Sequence, residues 1–199
     1  MRSENVTKDK ILMTAAKLFA DKGFDATSMR EIAESCEVTK PALYYYFPDK
    51  KALFAEIIKT VINYSYQLLS TIEKSDIDPI AKLNTIATKQ FLGIKQHPEV
   101  TKFLINVAMR NLPAGINISF FDVMKKNEDV LIKIVKDAKD MAYFRADMDV
   151  QTFLSCFIGG LNNYVMRYFK QGVDELTEEN AKKVIDTLVE GVRNRNKKE

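Results

Sequence analysis

Apolar residues recur every three or four positions along most of the chain, the period of helices with one buried face. Ile11, Ala15, Leu18 and Phe19 mark the first stripe, which starts after Thr7 as an N-cap and stops at Gly23. A second stripe, Met29, Ile32, Ala33 and Cys36, follows Ser28, and Ser28 with Glu31 has the S-x-x-E spacing of a capping box. Thr39 offers another N-cap, and Pro41 falls in the first turn of a third helix, where its missing N–H is not needed. Only Cys36, Glu37 and Val38 separate the two short helices, so they meet steeply across a tight turn: a helix-turn-helix. From Lys51 to about Lys74 nothing breaks the period. Further helices are expected over about 78–96, 98–110, 117–141, 149–170 and 177–194, interrupted at QHPE, NLPAGIN, FRADMD and KQGVDELTEEN. The expected fold class is all-α with about nine helices, a three-helix module over 1–50 and a larger helical module over 51–199.

Composition supports helices, because seven Gly and five Pro in 199 residues leave little room for β-rich or low-complexity architecture. The longest apolar run, Phe153 to Leu161, holds Ser155 and two glycines and falls short of the roughly 20 residues of a membrane span. The segment MRSENVTKDK does not resemble a signal peptide, and Cys36 and Cys156 stand in no metal-binding spacing, so a cytoplasmic location is expected. A net charge of +3 decides nothing about partners, since basic and acidic residues balance over 1–50. His97 is the sole histidine and no phosphate loop, cofactor motif or metal cluster is present, so neither catalysis nor a cofactor or metal is expected.

The stretch ALYYYF is the most unusual chemistry in the chain. In a helix from Thr39 to Phe47, Ala42 or Leu43 and Tyr46 or Phe47 can face inward, which leaves Lys40, Pro41, Tyr44 and Tyr45 outward. Paired exposed aromatics on the second helix of a helix-turn-helix fit a DNA major groove, where apolar surface meets thymine methyls and hydroxyls reach phosphates. The alternative is that these tyrosines only cover the next helix as amphipathic packing.

Residues 10–54, KILMTAAKLFADKGFDATSMREIAESCEVTKPALYYYFPDKKALF, resemble the TetR family of bacterial transcription regulators. The resemblance is carried by Ala15-x-x-Leu18-Phe19, Gly23-Phe24, Thr27-Ser28, Ile32-Ala33, Val38-Thr39, Leu43-Tyr44-x-Tyr46-Phe47 and Lys50-x-x-Leu53, in order and spacing. Glu37 departs from the pattern, because the family turn usually carries Gly there; a positive φ at Glu37 would cost roughly 1 kcal/mol or more. The resemblance implies that Arg30, Lys40, Pro41, Ala42 and Tyr45 face bases and that Ser28, Thr39, Tyr44, Tyr46 and Lys50 hold phosphates. It also implies double-stranded operator DNA as a partner, and a repressor working as a homodimer on a palindrome. Release by a small-molecule effector of unread identity belongs to the same expectation. Activation of transcription, or a helical dimer acting through protein contacts alone, are the alternatives.

Beyond residue 50, Gly159 and Gly160 lie inside a helix at a cost of roughly 0.8 to 1 kcal/mol each relative to Ala, which a close backbone approach would offset. Phe153, Phe157, Leu161, Tyr164 and Tyr168 surround them at helical spacing, and Val184, Leu188 and Val192 line the last helix. Together these are read as a dimer interface, the alternative being the core of a single subunit. An apolar effector cavity is expected from Phe91, Phe103, Met109, Phe120, Phe121, Met124, Tyr143 and Met166, with Asn106 or Asn163 as polar anchors.

Overall fold

In the computed structural model of the chain, the backbone is described for residues 2–109, 112–116 and 120–193, and side chains for 6–109, 112–116 and 124–193. The described residues form nine helices: α1 (Arg2–Lys22), α2 (Met29–Ser35), α3 (Lys40–Tyr46), α4 (Lys50–Glu73), α5 (Pro79–Gln96), α6 (Pro98–Met109), α7 (Phe120–Asp140), α8 (Val150–Gln171) and α9 (Glu178–Val192). The single bridge of strand type pairs Phe144 with Arg193. No described helix is long and apolar enough to cross a membrane.

The expected helices are present, with one clear shift. α1 starts at Arg2, ahead of the expected cap at Thr7, because no proline or glycine in the preceding residues interrupts propagation once a long helix is nucleated. Elsewhere the polar caps work as their spacing predicts. Ser28 accepts a hydrogen bond from the Glu31 N–H and Thr39 from the Ala42 N–H, so α2 and α3 both begin on satisfied turns. Asp149 does the same for α8 and Thr177 for α9.

Packing divides the chain into two compact units, one of Met1–Tyr64 with His97–Phe120, the other of Ser65–Gln96 with Phe121–Glu199. In the first, α1 contributes buried Ile11, Ala15 and Phe19, α2 Ile32 and Ala33, and α3 Leu43. Phe47 and the start of α4, through Leu53, Phe54, Ile57 and Ile58, complete this core. α6 joins the same unit: Phe103 packs edge-on against Phe54 at 4.9 Å and tilted against Phe19 at 6.3 Å. Lys102 reaches Asp21 at 2.7 Å, and the Asn106 amide donates to the Ala20 carbonyl at 3.0 Å. The second unit buries Phe91, Ile134, Val135, Phe157, Leu161 and Ile185, and Phe144 packs on Phe153 at 5.0 Å.

Glu37 adopts φ 57, so the turn between α2 and α3 does require the left-handed conformation that glycine adopts without strain. Its carboxylate meets the Lys10 ammonium at 3.1 Å, but the side chain is 84% exposed and such a pair contributes little. Glu37→Gly is therefore expected to raise the unfolding free energy by about 0.5–1 kcal/mol in urea denaturation. A loss of stability would mean that the ion pair outweighs the backbone strain.

Candidate nucleic-acid interface

The candidate surface is built by α2 and α3, whose apolar sides are anchored by Ile32, Ala33, Leu43 and Phe47, each 3% exposed or less. Fixing those faces inward turns the opposite faces out. Of the pairs left open by the sequence, Leu43 and Phe47 are the buried members, while Ala42 and Tyr46 are half-buried. Lys40 and Pro41 are exposed, and Tyr44 and Tyr45 stand out at 49% and 75% exposure. The Tyr45 ring leans edge-on against Tyr46 at 5.2 Å, which limits its rotamers and stiffens the projecting pair.

Charge on this surface is largely paired within the chain. Arg30 Nε donates to Glu34 Oε1 at 2.7 Å one turn along α2, and this carboxylate raises the guanidinium's already high pKa. Lys22 pairs with Glu31 and holds that carboxyl below its ordinary range. Lys40 has no ion pair among the described residues, which leaves its ammonium free at the first turn of α3, beside the tyrosines. Ser28 and Thr39 are exposed at the helix starts, each using an oxygen to cap the chain and keeping its hydroxyl proton as a donor.

Lys50 behaves differently from the expected phosphate contact. Its ammonium is engaged by the carbonyls of Phe24 at 2.6 Å, Thr27 at 2.7 Å and Asp25 at 3.4 Å, and lies 4.3 Å from the centre of the Phe24 ring. Lys10 and Lys22, both paired across the helix-turn-helix, were not singled out from the sequence, since nothing local marks a lysine whose carboxylate partner is 27 or 9 residues away. Cys36 is fully buried and burial pushes its thiol pKa up, so it is a packing residue without thiolate chemistry.

The residues expected to line an effector cavity are not gathered into one site. Phe103 and Asn106 belong to the first unit, where Phe103 is core and Asn106 is already bonded to the Ala20 carbonyl. Met109 is 69% exposed and Met124 46%. In the second unit Phe91 is buried against Tyr164, Tyr143 and Met166 are half-buried, and Asn163 faces outward. The side chains of Phe120 and Phe121 lie outside the described residues. The first unit holds a cavity of about 70 Å³ lined by Phe19, Phe24, Phe54, Phe103, Asn106 and Leu112 among others. That is well below the roughly 300–1,000 Å³ of small-molecule sites.

The expected dimer residues also divide. Phe153, Phe157 and Leu161 are 4%, 1% and 1% exposed within the chain itself, so they form subunit core and are not available to a second copy. Gly160 serves a close approach inside the subunit: a Cβ there would lie 3.2 Å from Val184 Cγ1, across the α8–α9 contact. Gly159 has no atom near its missing side chain and is exposed beside Ile158, while Tyr164, Tyr168, Val184, Leu188 and Val192 are half-buried.

Residues 11–57 match the family described as bacterial regulatory proteins, tetR family. The chain is 24% identical over 169 residues to the HTH-type transcriptional repressor KstR2 of Mycobacterium tuberculosis, covering 84% of each protein. It is 40% identical over 57 residues to the biofilm operon icaADBC HTH-type negative transcriptional regulator IcaR of Staphylococcus aureus, covering 29% of this chain and 31% of that one. Its fold matches that of the transcriptional regulator FadR from Bacillus subtilis, solved in complex with stearoyl-CoA, with a TM-score of 0.76 at 16% identity over 92% of this chain and 98% of the other.

Proposed function

Since this chain is a member of the tetR family of bacterial regulatory proteins, matched over residues 11–57, we propose that it is a sequence-specific transcriptional repressor. In this reading it binds a palindromic operator as a homodimer and is released by a small apolar effector. The observation that carries the reading is the outward face of α3, where the unpaired Lys40 stands with Tyr44 and Tyr45 above buried Leu43 and Phe47. A short helix that exposes two aromatics while burying its other side has its affinity directed outward. DNA supplies the matching chemistry, because thymine methyls and phosphate oxygens accept ring surface and phenolic hydroxyls, and guanine edges accept a lysine.

Pro41, Ala42 and Tyr45 lie with Lys40 on the side offered to bases. Ser28, Thr39, Tyr44 and Tyr46 flank it with hydroxyls suited to phosphates, and Arg30 reaches a base by exchanging Glu34 for it. Dimerisation uses the part of α8 and α9 that the subunit leaves uncovered, around Ile158, Gly159, Leu188 and Val192. Two-fold symmetry then places the two α3 helices on successive half-sites.

Effector release requires a ligand that prefers a conformation unable to bind DNA. α6 is the element through which such a preference reaches the recognition helices, since Phe103, Lys102 and Asn106 tie it to α1 and α4 inside one packed unit. An apolar effector is supported by relatives whose names refer to stearoyl-CoA and, for a solved structure of KstR2, to ketosteroid regulation.

Lys40→Ala is expected to relax sequence preference at one or two base pairs of each half-site, by about 1–3 kcal/mol, with little change in binding to scrambled duplex. Fluorescence anisotropy on the two duplexes checks this; equal losses on both would assign Lys40 to the phosphate backbone.

A further inference from the structure

Lys50 opens α4, yet its ammonium is spent on the loop that joins α1 to α2. We propose that Lys50 is a positioning residue that holds this loop, and through it the start of α2, in the DNA-binding geometry without itself contacting phosphate. The proposal rests on the reading of the chain as a DNA-binding regulator.

An ammonium has three donors and no more. Here the carbonyls of Phe24, Thr27 and Asp25 occupy the three directions, and the Phe24 ring covers the cation at 4.3 Å. The loop leaves the end of α1 at Gly23, whose φ of 84 turns the chain back on itself. Its carbonyls belong to no helix or sheet, and a backbone acceptor removed from water has to find a partner. Thr27, 1% exposed, closes the ring from inside by donating its hydroxyl to the Gly23 carbonyl at 2.8 Å and its N–H to Phe24 at 3.3 Å. Phe24 is fixed in turn by Phe19 at 5.7 Å and Phe54 at 5.2 Å.

The next residue is Ser28, the cap whose oxygen accepts the Glu31 N–H at 3.1 Å and which starts the helix carrying Arg30. Lys50 therefore joins the first residue of α4 to the last residues before α2. A phosphate could recruit this ammonium only by displacing a carbonyl from a part-buried site, and the freed acceptor would cost about 1–3 kcal/mol.

Phosphate contact and loop positioning leave different traces in salt. Losing one phosphate contact lowers the slope of log K against log salt by about 0.9, whereas a misplaced helix weakens binding with far less change in slope. The test is made on full-length wild-type and Lys50→Met proteins, with a duplex selected by the wild type and affinities measured from about 50 to 200 mM salt. Native-state amide exchange is followed at Thr27 and Glu31, with Ile57 as an internal reference.

The expected result is binding about 10-fold weaker at every salt concentration, a slope within about 0.3 of wild type, and faster exchange at Thr27 and Glu31 only. A slope lower by about 0.9, or unchanged exchange at both amides, overturns the proposal. Lys50→Gln supplies the same readouts if the Met protein does not fold. If the wild type selects no duplex, the DNA-binding reading has failed, and the exchange measurement alone decides whether Lys50 holds the loop.

Discussion

Replacing Tyr44 and Tyr45 together by alanine is expected to lower affinity for the selected duplex by about 100-fold, while the melting temperature moves by no more than about 3 °C. The first number follows from two base or phosphate contacts at roughly 1–2 kcal/mol each, with 1.4 kcal/mol to a factor of ten. The second follows from exposure: at 49% and 75%, the two rings contribute little to the core that Leu43 and Phe47 form beneath them. Anisotropy titration and a thermal melt on the same protein give both values. Unchanged affinity with a fall in melting temperature would assign the tyrosines to packing and remove the main support for α3 as the recognition helix.

Phe103→Ala is expected to cost about 3–5 kcal/mol in urea denaturation, the usual range for deleting a fully enclosed phenylalanine. Phe103 is 1% exposed and touches the rings of Phe19 and Phe54, so no solvent path or flexible neighbour is at hand to fill the cavity cheaply. Because those rings belong to α1 and α4, the loss should also weaken DNA binding at temperatures where the protein remains folded. A cost below about 1 kcal/mol would mean that α6 is not integral to the first unit, and the proposed route for effector release would lose its footing.

Local chemistry made much of the helix-turn-helix legible in the sequence. Ser28 and Thr39 cap because a short hydroxyl side chain reaches the N–H three residues on, and that needs no knowledge of the rest of the fold. The left-handed turn at Glu37 was anticipated from the tight spacing of the two helices and from the glycine that the family pattern carries there. Long-range partners were not legible. A helical stripe reports that a face is covered but not by what, which is why Phe153, Phe157 and Leu161 read as a surface for a second copy and prove to be core of their own subunit.

Gly160 illustrates the same limit. Its cost inside α8 correctly signals a close neighbour, and that neighbour is Val184 of the same chain. The packing of α6 on α1 joins residues some 80 positions apart, as Lys102 with Asp21 shows, and periodicity carries no trace of it. Lys50 falls between these cases: the motif marks its position, while its task depends on three carbonyls of a loop more than 20 residues earlier.

The central claim is sequence-specific recognition of DNA by a dimer, and selection of bound sequences from a random duplex library by the purified protein tests it most directly. The account predicts enrichment of one palindrome, with half-sites about one helical turn or a multiple apart, whose affinity falls steeply as salt rises. Equal affinity for all duplexes, with no sequence enriched even at low salt, would contradict it.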